Sequence, residues 1–292
     1  MSNLPPRIEQ HEKPDFPISI YHNRGSGDDL LAIHCHGDFE ILRVTQGDAL
    51  FRIGADSYPA SQGDIFFVNP YEFHSATTDS GRTVEYTAIV YERHLLESIT
   101  LHPDYNRFIR PLLENRLCFP HRVTHDTRLE SQVQSLILEI LEEYRDKPIG
   151  HEWMIRTNLE KLVVLLYRQT PDNGPNSRLT AQQRMGRDFA DLFRLIAEQP
   201  SRKLSTREAA AYVRMSPYHF CRRFKAYSGR TFVDFLNLYR VNEAERLLRD
   251  TTLTVTEIAE QVGFCNIHYF DRVFRTYKQR APSSLRSEPA GA

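Results

Sequence analysis

A sequence motif occurs twice between Thr206 and Tyr277, with the two copies offset by fifty positions. Each copy has the pattern of a short helix, a turn and a second helix. In each second helix two phenylalanines and a tyrosine recur at i, i+4 and i+7, which places them on one helical face. The matched pairs are Thr206 and Thr256, Ala209 and Ala259, Phe220 and Phe270, Arg222 and Arg272, Phe224 and Phe274, and Tyr227 and Tyr277. The repeat therefore predicts two helix-turn-helix units of one design.

The face of each second helix opposite the aromatic side chains is polar and basic. It comprises Tyr218, Cys221, Arg222 and Lys225 in the first copy, and His268, Asp271, Arg272 and Arg275 in the second. An early arginine is suited to the edge of a guanine, and later lysines and arginines are suited to phosphates. The alternative is an ordinary amphipathic helix with solvated charges, which two copies in register weaken. We predict that these eight side chains contact DNA.

Helix-end signals flank both copies. In the first copy, Ser216 followed by Pro217 predicts the start of the second helix. In the second copy, Thr256 is predicted to cap the first helix, Gly263 to end it and Asn266 to cap the second helix. A long helix over about residues 232–249 is predicted to join the copies, and a lead helix over about residues 183–198 to precede them.

The charge of the chain is divided unevenly. The 292 residues have a formal net charge of −1 and an apolar fraction of 40%, enough for two domains or three small ones with real cores. Residues 183–292 hold 19 Lys and Arg against 12 Asp and Glu, a formal charge of +7, whereas residues 1–182 hold 18 against 26, a formal charge of −8. This division predicts a nucleic-acid partner for the repeat region alone.

The N-terminal part has the alternation of short apolar runs and turn residues that is typical of a β protein. Apolar runs at residues 31–36, 40–45, 49–53, 64–68 and 82–90 alternate with Gly, Asp and Pro, which predicts a β-barrel or sandwich. Two amphipathic helices follow, over about residues 129–144 and 152–168, and are expected to pair antiparallel. A subunit contact is also expected from one of these helices, through Leu136, Ile140 and Leu141 or through the facing Leu159, Leu162 and Leu166. The alternative is that both helices only cover the barrel.

The last hundred or so residues closely resemble the AraC/XylS family of bacterial transcription regulators. The matching positions are Ser216, Pro217, Phe220, Arg222, Phe224, Lys225, Gly229, Arg240, Ala244 and Leu248, then Glu257, Ile258, Ala259, Val262, Gly263, Phe264, Tyr269, Phe270, Arg272, Phe274, Pro282 and Arg286. One departure is Gln279, where the family usually has Gly at a helix end. The resemblance covers about a third of the chain and implies a DNA-binding regulator, with sugars or sugar derivatives as typical effectors.

Four residues of the N-terminal part resemble the two motifs of the cupin barrel. They are His34, His36, Glu40 and His74. The first three would share parity on a strand and point into one cavity, joined by His74 from a later strand. Three imidazoles and a carboxylate suit a divalent transition metal such as Zn, Mn, Fe or Ni. The alternative is a metal-free pocket in which the same four residues bind an organic effector.

The expected fold class is a multidomain α+β chain in which a cupin-like β-barrel with a helical segment precedes an all-α domain. Residues 1–90 would form the effector-sensing barrel, 91–170 a coupling and dimerisation segment, 171–182 a linker rich in Pro and Gly, and 183–292 the tandem helix-turn-helix domain. The expected partners are duplex DNA, a small-molecule effector, a second copy of the chain and RNA polymerase.

The four cysteines lack CxxC spacing, which favours a cytoplasmic protein. No apolar run is long enough to cross a bilayer, so no membrane partner is expected. No catalytic residue and no cofactor beyond a divalent metal are predicted. The alternative function is a metal-dependent cupin enzyme with an accessory DNA-binding module. A further alternative is a constitutive DNA-binding protein whose barrel is vestigial.

Overall fold

The computed structural model describes residues 7–8, 16–27, 30–54, 56–79, 81–96, 109–113, 118–123, 127–168 and 181–286. The chain divides into two compact units, residues 9–190 and residues 191–292, and the second also includes residues 3–8. The strands are β1 (Arg7–Ile8), β2 (Ile18–Ser26), β3 (Leu31–Cys35), β4 (Phe39–Gln46), β5 (Ala49–Ile53), β6 (Asp56–Ala60), β7 (Ile65–Val68), β8 (His74–Thr77) and β9 (Thr83–Tyr91).

The α-helices of the described residues are α1 (Arg110–Leu113), α2 (Thr127–Asp146), α3 (His151–Arg168), α4 (Ala181–Glu198), α5 (Thr206–Tyr212), α6 (Pro217–Ser228), α7 (Phe232–Asp250), α8 (Val255–Gln261) and α9 (Ile267–Lys278). Short 3-10 helices lie at Arg93–Leu96 and Pro282–Arg286. Within these ranges no helix combines the length and the apolar character needed to cross a membrane. The fold class is the predicted one, with a β-rich N-terminal part followed by helices.

The first unit contains two antiparallel sheets whose inner faces pack together. One sheet contains β3, β8, β5 and β6 in that order, and the other contains β2, β9, β4 and β7. Leu42 on β4 and Phe51 on β5 lie in one buried cluster, and the ring of Phe51 stacks on that of Phe66 from β7 at 5.1 Å. Because that ring pair joins strands of different sheets, the cluster is the core between them.

The sheet that contains β4 and β9 is buried on both faces. Neighbouring residues on β4 point to opposite sides, so that Leu42 lies in the core between the sheets and Ile41 in a second core. That second core also contains Leu136 and Ile140 of α2 and Leu159 of α3. A strand covered on both faces has a continuous apolar run instead of an alternating one. The two long helices therefore share one core with this sheet.

The expected subunit contact through the helix pair is corrected by this packing. Leu136, Ile140, Leu159, Leu162 and Leu166 are buried within the chain, and Leu141 is partly buried against the same cluster. The five buried side chains have no apolar surface left for a partner, whereas the subunit contact of Leu141 stays a prediction. The exposed large apolar side chains on these helices are instead Leu138, Trp153 and Met154. The homodimer itself stays a prediction.

Five of the strands coincide with predicted apolar runs, and β8 contains His74, which was expected on a later strand. β1, β2 and β6 were not predicted. β2 and β6 are at sheet edges, where polar residues and proline are tolerated. β1 has only two residues, too few for a pattern. The predicted linker lies outside the described residues from 171 to 180, and its last two residues, Ala181 and Gln182, begin α4. The predicted boundaries at 90 and 170 stay predictions.

The second unit has two small cores connected by α7. Five phenylalanines form the first core, with ring centroids 5.0 to 5.9 Å apart: Phe193, Phe220, Phe224, Phe232 and Phe235. The second core includes Ile258, Phe270 and Phe274. α7 contributes Phe232 and Phe235 to the first core and Val241, Ala244 and Leu248 to the second. The long connecting helix predicted from the sequence is therefore confirmed.

Candidate nucleic-acid interface and candidate metal centre

The second helix of each helix-turn-helix begins and ends as the sequence indicates. Ser216 caps α6, with Pro217 as the first helical residue, and Gly229 ends it at φ 75°. Asn266 caps α9, because its side-chain oxygen accepts the N–H groups of His268 and Tyr269 at 2.8 and 3.0 Å. Gln279 ends α9 in the left-handed region at φ 55°, a conformation that costs a residue with a Cβ roughly 1–2 kcal/mol.

The predicted cap at Thr256 is wrong. Thr254 caps α8, since its hydroxyl accepts the Glu257 N–H at 3.2 Å and the Glu257 carboxylate accepts the Thr254 N–H at 2.7 Å. Ser205 and Glu208 make the same reciprocal pair before α5. The first helices are thus related by 49 positions and the second helices by 50, so the second turn has one more residue.

The predicted contact residues of the first copy lie on the exposed face of α6. Tyr218 is 73% exposed, and Cys221, Arg222 and Lys225 are exposed as well. His219 and Arg223 share this surface and were not predicted. Among the described residues, Arg222, Arg223 and Lys225 have no ion-pair partner. This helix therefore presents three cations that are free to meet an anion.

The predicted contact residues of the second copy also lie at the surface, but three of the four make side-chain contacts within α9. His268, Arg272 and Arg275 are exposed, and Asp271 is half-buried. The Asp271 carboxylate accepts from Nε of Arg275 at 2.8 Å. The guanidinium carbon of Arg272 lies 5.3 Å from the ring centroid of Tyr269. The two helices are therefore similar in position and different in how their cations are held.

Polar contacts fasten α9 to α7. The Tyr277 hydroxyl donates to the main-chain carbonyl of Asp234 at 3.1 Å and also to its carboxylate. Lys278 forms an ion pair with Glu245, which also meets Arg249 at 3.1 Å. Burial alone would raise the pKa of Glu245, but the hydrogen bond and charge of Lys278 outweigh burial and lower it. These contacts fix the orientation of α9 on the connecting helix.

Arg240 of α7 connects the segment that precedes α5 with the turn that precedes α9. Its guanidinium donates to the Arg202 carbonyl at 2.7 Å and lies 5.9 Å from the Phe264 ring centroid. Gly263, at φ 93°, packs so closely that a Cβ there would be 2.6 Å from both Nη2 of Arg240 and the carbonyl oxygen of Pro200. Both residues belong to the family pattern, and both are required by this contact.

The four histidine and glutamate residues of the first unit converge, although not for the predicted reason. β3 ends at Cys35, so His34 lies in β3, His36 in the following turn and Glu40 in β4. Shared parity along one strand is therefore wrong, because the chain turns between them. His74 begins β8, a later strand as predicted. One ligand atom from each residue lies within 4.8 Å of all the others.

Each of the three imidazoles is oriented by a main-chain carbonyl. The Nδ1 atoms of His34, His36 and His74 lie 2.9, 3.1 and 2.9 Å from the carbonyl oxygens of Ala32, Asp38 and Glu72. A carbonyl only accepts, so each Nδ1 carries a proton, and a metal ion would bind at Nε2 and displace the proton there. Oε2 of Glu40 lies 3.1 Å from Nε2 of His36 and 2.8 Å from Nε2 of His74.

The electrostatics of this cluster suit a cation. All four side chains are buried. Burial, with the neighbouring His74 and His36, moves the pKa of His34 well below its usual value. Burial alone would raise the pKa of Glu40, but the charge of His74 and the hydrogen bonds from His36 and His74 outweigh burial and keep it well below its usual value. A neutral imidazole and an ionised carboxylate are ligands that divalent transition metals prefer.

The spacing of the cluster also fits a metal ion. Two ligands about 2.1 Å from one ion can be up to about 4.2 Å apart, so small side-chain shifts would bring these atoms, all within 4.8 Å, into range. Carbonyl acceptors on the outer ring nitrogens are the usual support of metal-bound histidines. Ligand atoms this close together leave room for one ion between them.

A second polar network lies directly behind His74. The Glu72 carboxylate accepts from Nε2 of His121 at 2.9 Å and from the side chain of Asn69 at 3.0 Å. Asn69 also pairs with the main chain of Phe119 through bonds of 2.7 and 3.1 Å. Burial alone would lower the pKa of His121, but the Glu72 carboxylate outweighs burial and raises it. No spacing in the sequence connects residues 72 and 121, so this support was missed.

Comparisons with known proteins agree with both halves of this description. Residues 16–152 match the family model of an AraC-like ligand-binding domain, and residues 209–288 match that of a helix-turn-helix domain. The regulator YfiF of Bacillus subtilis, itself described as uncharacterized, is 24% identical over 87% of this chain and 78% of its own length. The transcriptional activator RhaR of Salmonella schwarzengrund is 24% identical over 88% of each chain.

A solved structure has a similar fold. A crystal structure of ToxT from Vibrio cholerae aligns with a TM-score of 0.50 at 14% identity, covering 94% of this chain and 100% of ToxT. A ligand-binding domain joined to a helix-turn-helix domain defines a class of transcription regulators. The chain belongs to the AraC/XylS family of that class.

Proposed function

We propose that this regulator contacts specific DNA sequences through α6 and α9 and responds to a ligand at His34, His36, Glu40 and His74. The observation that carries the proposal is the convergence of these four buried side chains in a unit that matches a ligand-binding domain. A buried cluster of ligating groups with one ionised carboxylate is costly unless something occupies it. Ligand occupancy would offset that cost.

The proposed ligand at this cluster is a divalent transition metal. Three oriented Nε2 atoms and one carboxylate oxygen form a ligand set that suits a cation, which would displace the Nε2 protons that bind Glu40. When bound, such an ion would neutralise Glu40 and connect β3, β4 and β8. A sugar or sugar derivative, the effector type suggested by the family resemblance, would need hydroxyl partners and room that these atoms do not leave between them.

On the DNA side, Arg222 and Arg272 are proposed to contact base edges, with Tyr218 and His268 one turn earlier. Lys225 and Arg275 would contact phosphates. Cys221 and Asp271 complete the surface. A cytoplasmic location, a second copy of the chain and RNA polymerase as partners are proposed from the family resemblance. The alternative, a metal-dependent enzyme, is disfavoured because the relatives are transcription regulators.

Metal analysis of the untagged full-length protein tests the ligand proposal. Near-stoichiometric metal in the wild type, lost in His36→Ala, is the expected result. His94→Ala is the matched control, since His94 is a 56% exposed histidine of the same unit outside the cluster. Metal-free protein that still regulates transcription in response to an organic molecule would overturn the metal assignment. Regulation that is indifferent to metal and to every metabolite would favour a vestigial barrel.

A further inference from the structure

We infer that Tyr269 is a positioning residue for Arg272 and makes the second helix-turn-helix the more sequence-selective half of the DNA-binding surface. The inference rests on the proposed base contact of Arg272. Tyr269 stands three residues before Arg272 in α9, a spacing that places both side chains on one helical face. It is 37% exposed, so its ring borders the surface where DNA would lie.

The Tyr269 ring is held from two sides. Its hydroxyl accepts from the side-chain amide of Asn237, on α7, at 2.9 Å. Its ring centroid lies 5.8 Å from that of Phe264, in the turn before α9. The Arg272 guanidinium then lies over the ring at 5.3 Å, within the range of a cation–π contact. An exposed arginine is thus placed on a platform that the connecting helix and the turn keep in position.

The first copy has no such platform. The residue equivalent to Tyr269 is His219, which is exposed and meets the Tyr218 ring at 5.9 Å. Within the described part of the chain, Arg222 has no aromatic or acidic partner. The same contrast recurs one turn later, where Lys225 is unpaired among the described residues and Arg275 pairs with Asp271 at 2.8 Å.

These differences have opposite consequences for DNA contact. A guanidinium already fixed in place loses less side-chain freedom on binding and has one orientation for the two acceptors of a guanine. Cations on α6 without a described ion-pair partner can follow phosphates, which contributes salt-dependent affinity without base preference. The Asp271 carboxylate repels phosphate and can accept from the amino group of cytosine, which adds selectivity at α9.

Selection of preferred sites from a random duplex pool, run on the full-length protein, tests the inference. In Tyr269→Ala, discrimination against the best mismatch should fall about three- to tenfold at the half-site of α9 and stay unchanged at the half-site of α6. Affinity for non-specific DNA should stay within about twofold. His219→Ala is the matched change in the first copy, and its effect at the half-site of α6 should be smaller than that of Tyr269→Ala at the half-site of α9, because Arg222 has no described ring contact to lose.

Two further variants distinguish a failure of the Tyr269 inference from a failure of the proposed Arg272 base contact. In Asn237→Ala the ring remains but loses one restraint, so a smaller loss at the same half-site is expected; this variant also serves if Tyr269→Ala unfolds. Arg272→Ala should abolish the preference at that half-site. If Arg272→Ala relaxes the preference while Tyr269→Ala and Asn237→Ala retain the wild-type profile, the inference is overturned and the proposed function stands. An unchanged profile in Arg272→Ala would overturn the base contact itself.

Discussion

Replacement of Gly263 by alanine should destabilise the second helix-turn-helix by about 2–5 kcal/mol. The glycine has φ 93°, and a left-handed conformation costs a residue with a Cβ roughly 1–2 kcal/mol. The new methyl would lie 2.6 Å from the Pro200 carbonyl oxygen and from Nη2 of Arg240, and crowding of a packed site typically costs about 1–3 kcal/mol. Because the carbonyl belongs to the main chain, the strain cannot be relieved by a rotamer change alone.

Gly229 provides the matched control, since it ends α6 at φ 75° with no described heavy atom within 4 Å of where a Cβ would be. Gly229→Ala should cost only the backbone strain, roughly 1–2 kcal/mol. Hydrogen exchange of main-chain amides over residues 254–279 and 216–229 measures both effects in the full-length chain. Exchange should accelerate about 30-fold or more in Gly263→Ala and about five- to thirtyfold in Gly229→Ala. Equal acceleration in the two variants would refute the proposed crowding against Arg240.

Three further predictions concern DNA, metal and pH. Residues 183–292 should bind duplex DNA without the N-terminal unit, as measured by fluorescence anisotropy. Lys225→Ala should reduce the slope of log affinity against log salt concentration by about 1. Arg222→Ala should cost about 1–3 kcal/mol of binding free energy and relax base preference at one of two half-sites about 10 base pairs apart. A zinc salt at about a hundred times its dissociation constant should stabilise the first unit by about 2.7 kcal/mol in thermal unfolding, reversibly with a chelator and not in His36→Ala; an equal shift in that variant would contradict the site. Because the pKa of Glu245 is lowered beside Lys278, the stabilisation by this carboxylate is present above its unfolded value of about 4.5 and is lost as the pH falls through its folded value. The difference in stability between wild type and Glu245→Gln, about 1–2 kcal/mol at pH 7, should therefore narrow by pH 3, and a constant difference would speak against the ion pair.

The helix-turn-helix units were predictable because their evidence is local. Aromatic residues at i, i+4 and i+7 determine the buried face of a helix wherever it packs, and Phe270 and Phe274 are buried as expected. The error at Thr256 has a local cause too. A threonine happens to stand at both 206 and 256, so the fifty-position offset concealed the 49-position relation between the first helices. The capping pair of Thr254 and Glu257 is what distinguishes the two alignments.

For the candidate metal centre, the sequence identified the four residues but not the orientation of their side chains. The four residue types and their spacing identified the cluster, but the ring orientations depend on carbonyl oxygens whose positions follow from the folded chain. The network of Glu72 and His121 depends on a contact across 49 positions of sequence, which no periodicity contains. Tyr269 was passed over for a similar reason, because its role depends on Asn237, 32 positions earlier.

One face of the sheet of β2, β9, β4 and β7 is exposed during synthesis of the chain and in truncated fragments. One face of this sheet is covered by α2 and α3, which the ribosome supplies only after residue 168. Until then the nascent chain presents Ile41, Phe67 and Ile89 to water, an apolar surface open to aggregation or chaperone binding. A fragment that ends near residue 90 keeps that surface permanently and should be insoluble, whereas one that ends after residue 168 contains the helices that cover it.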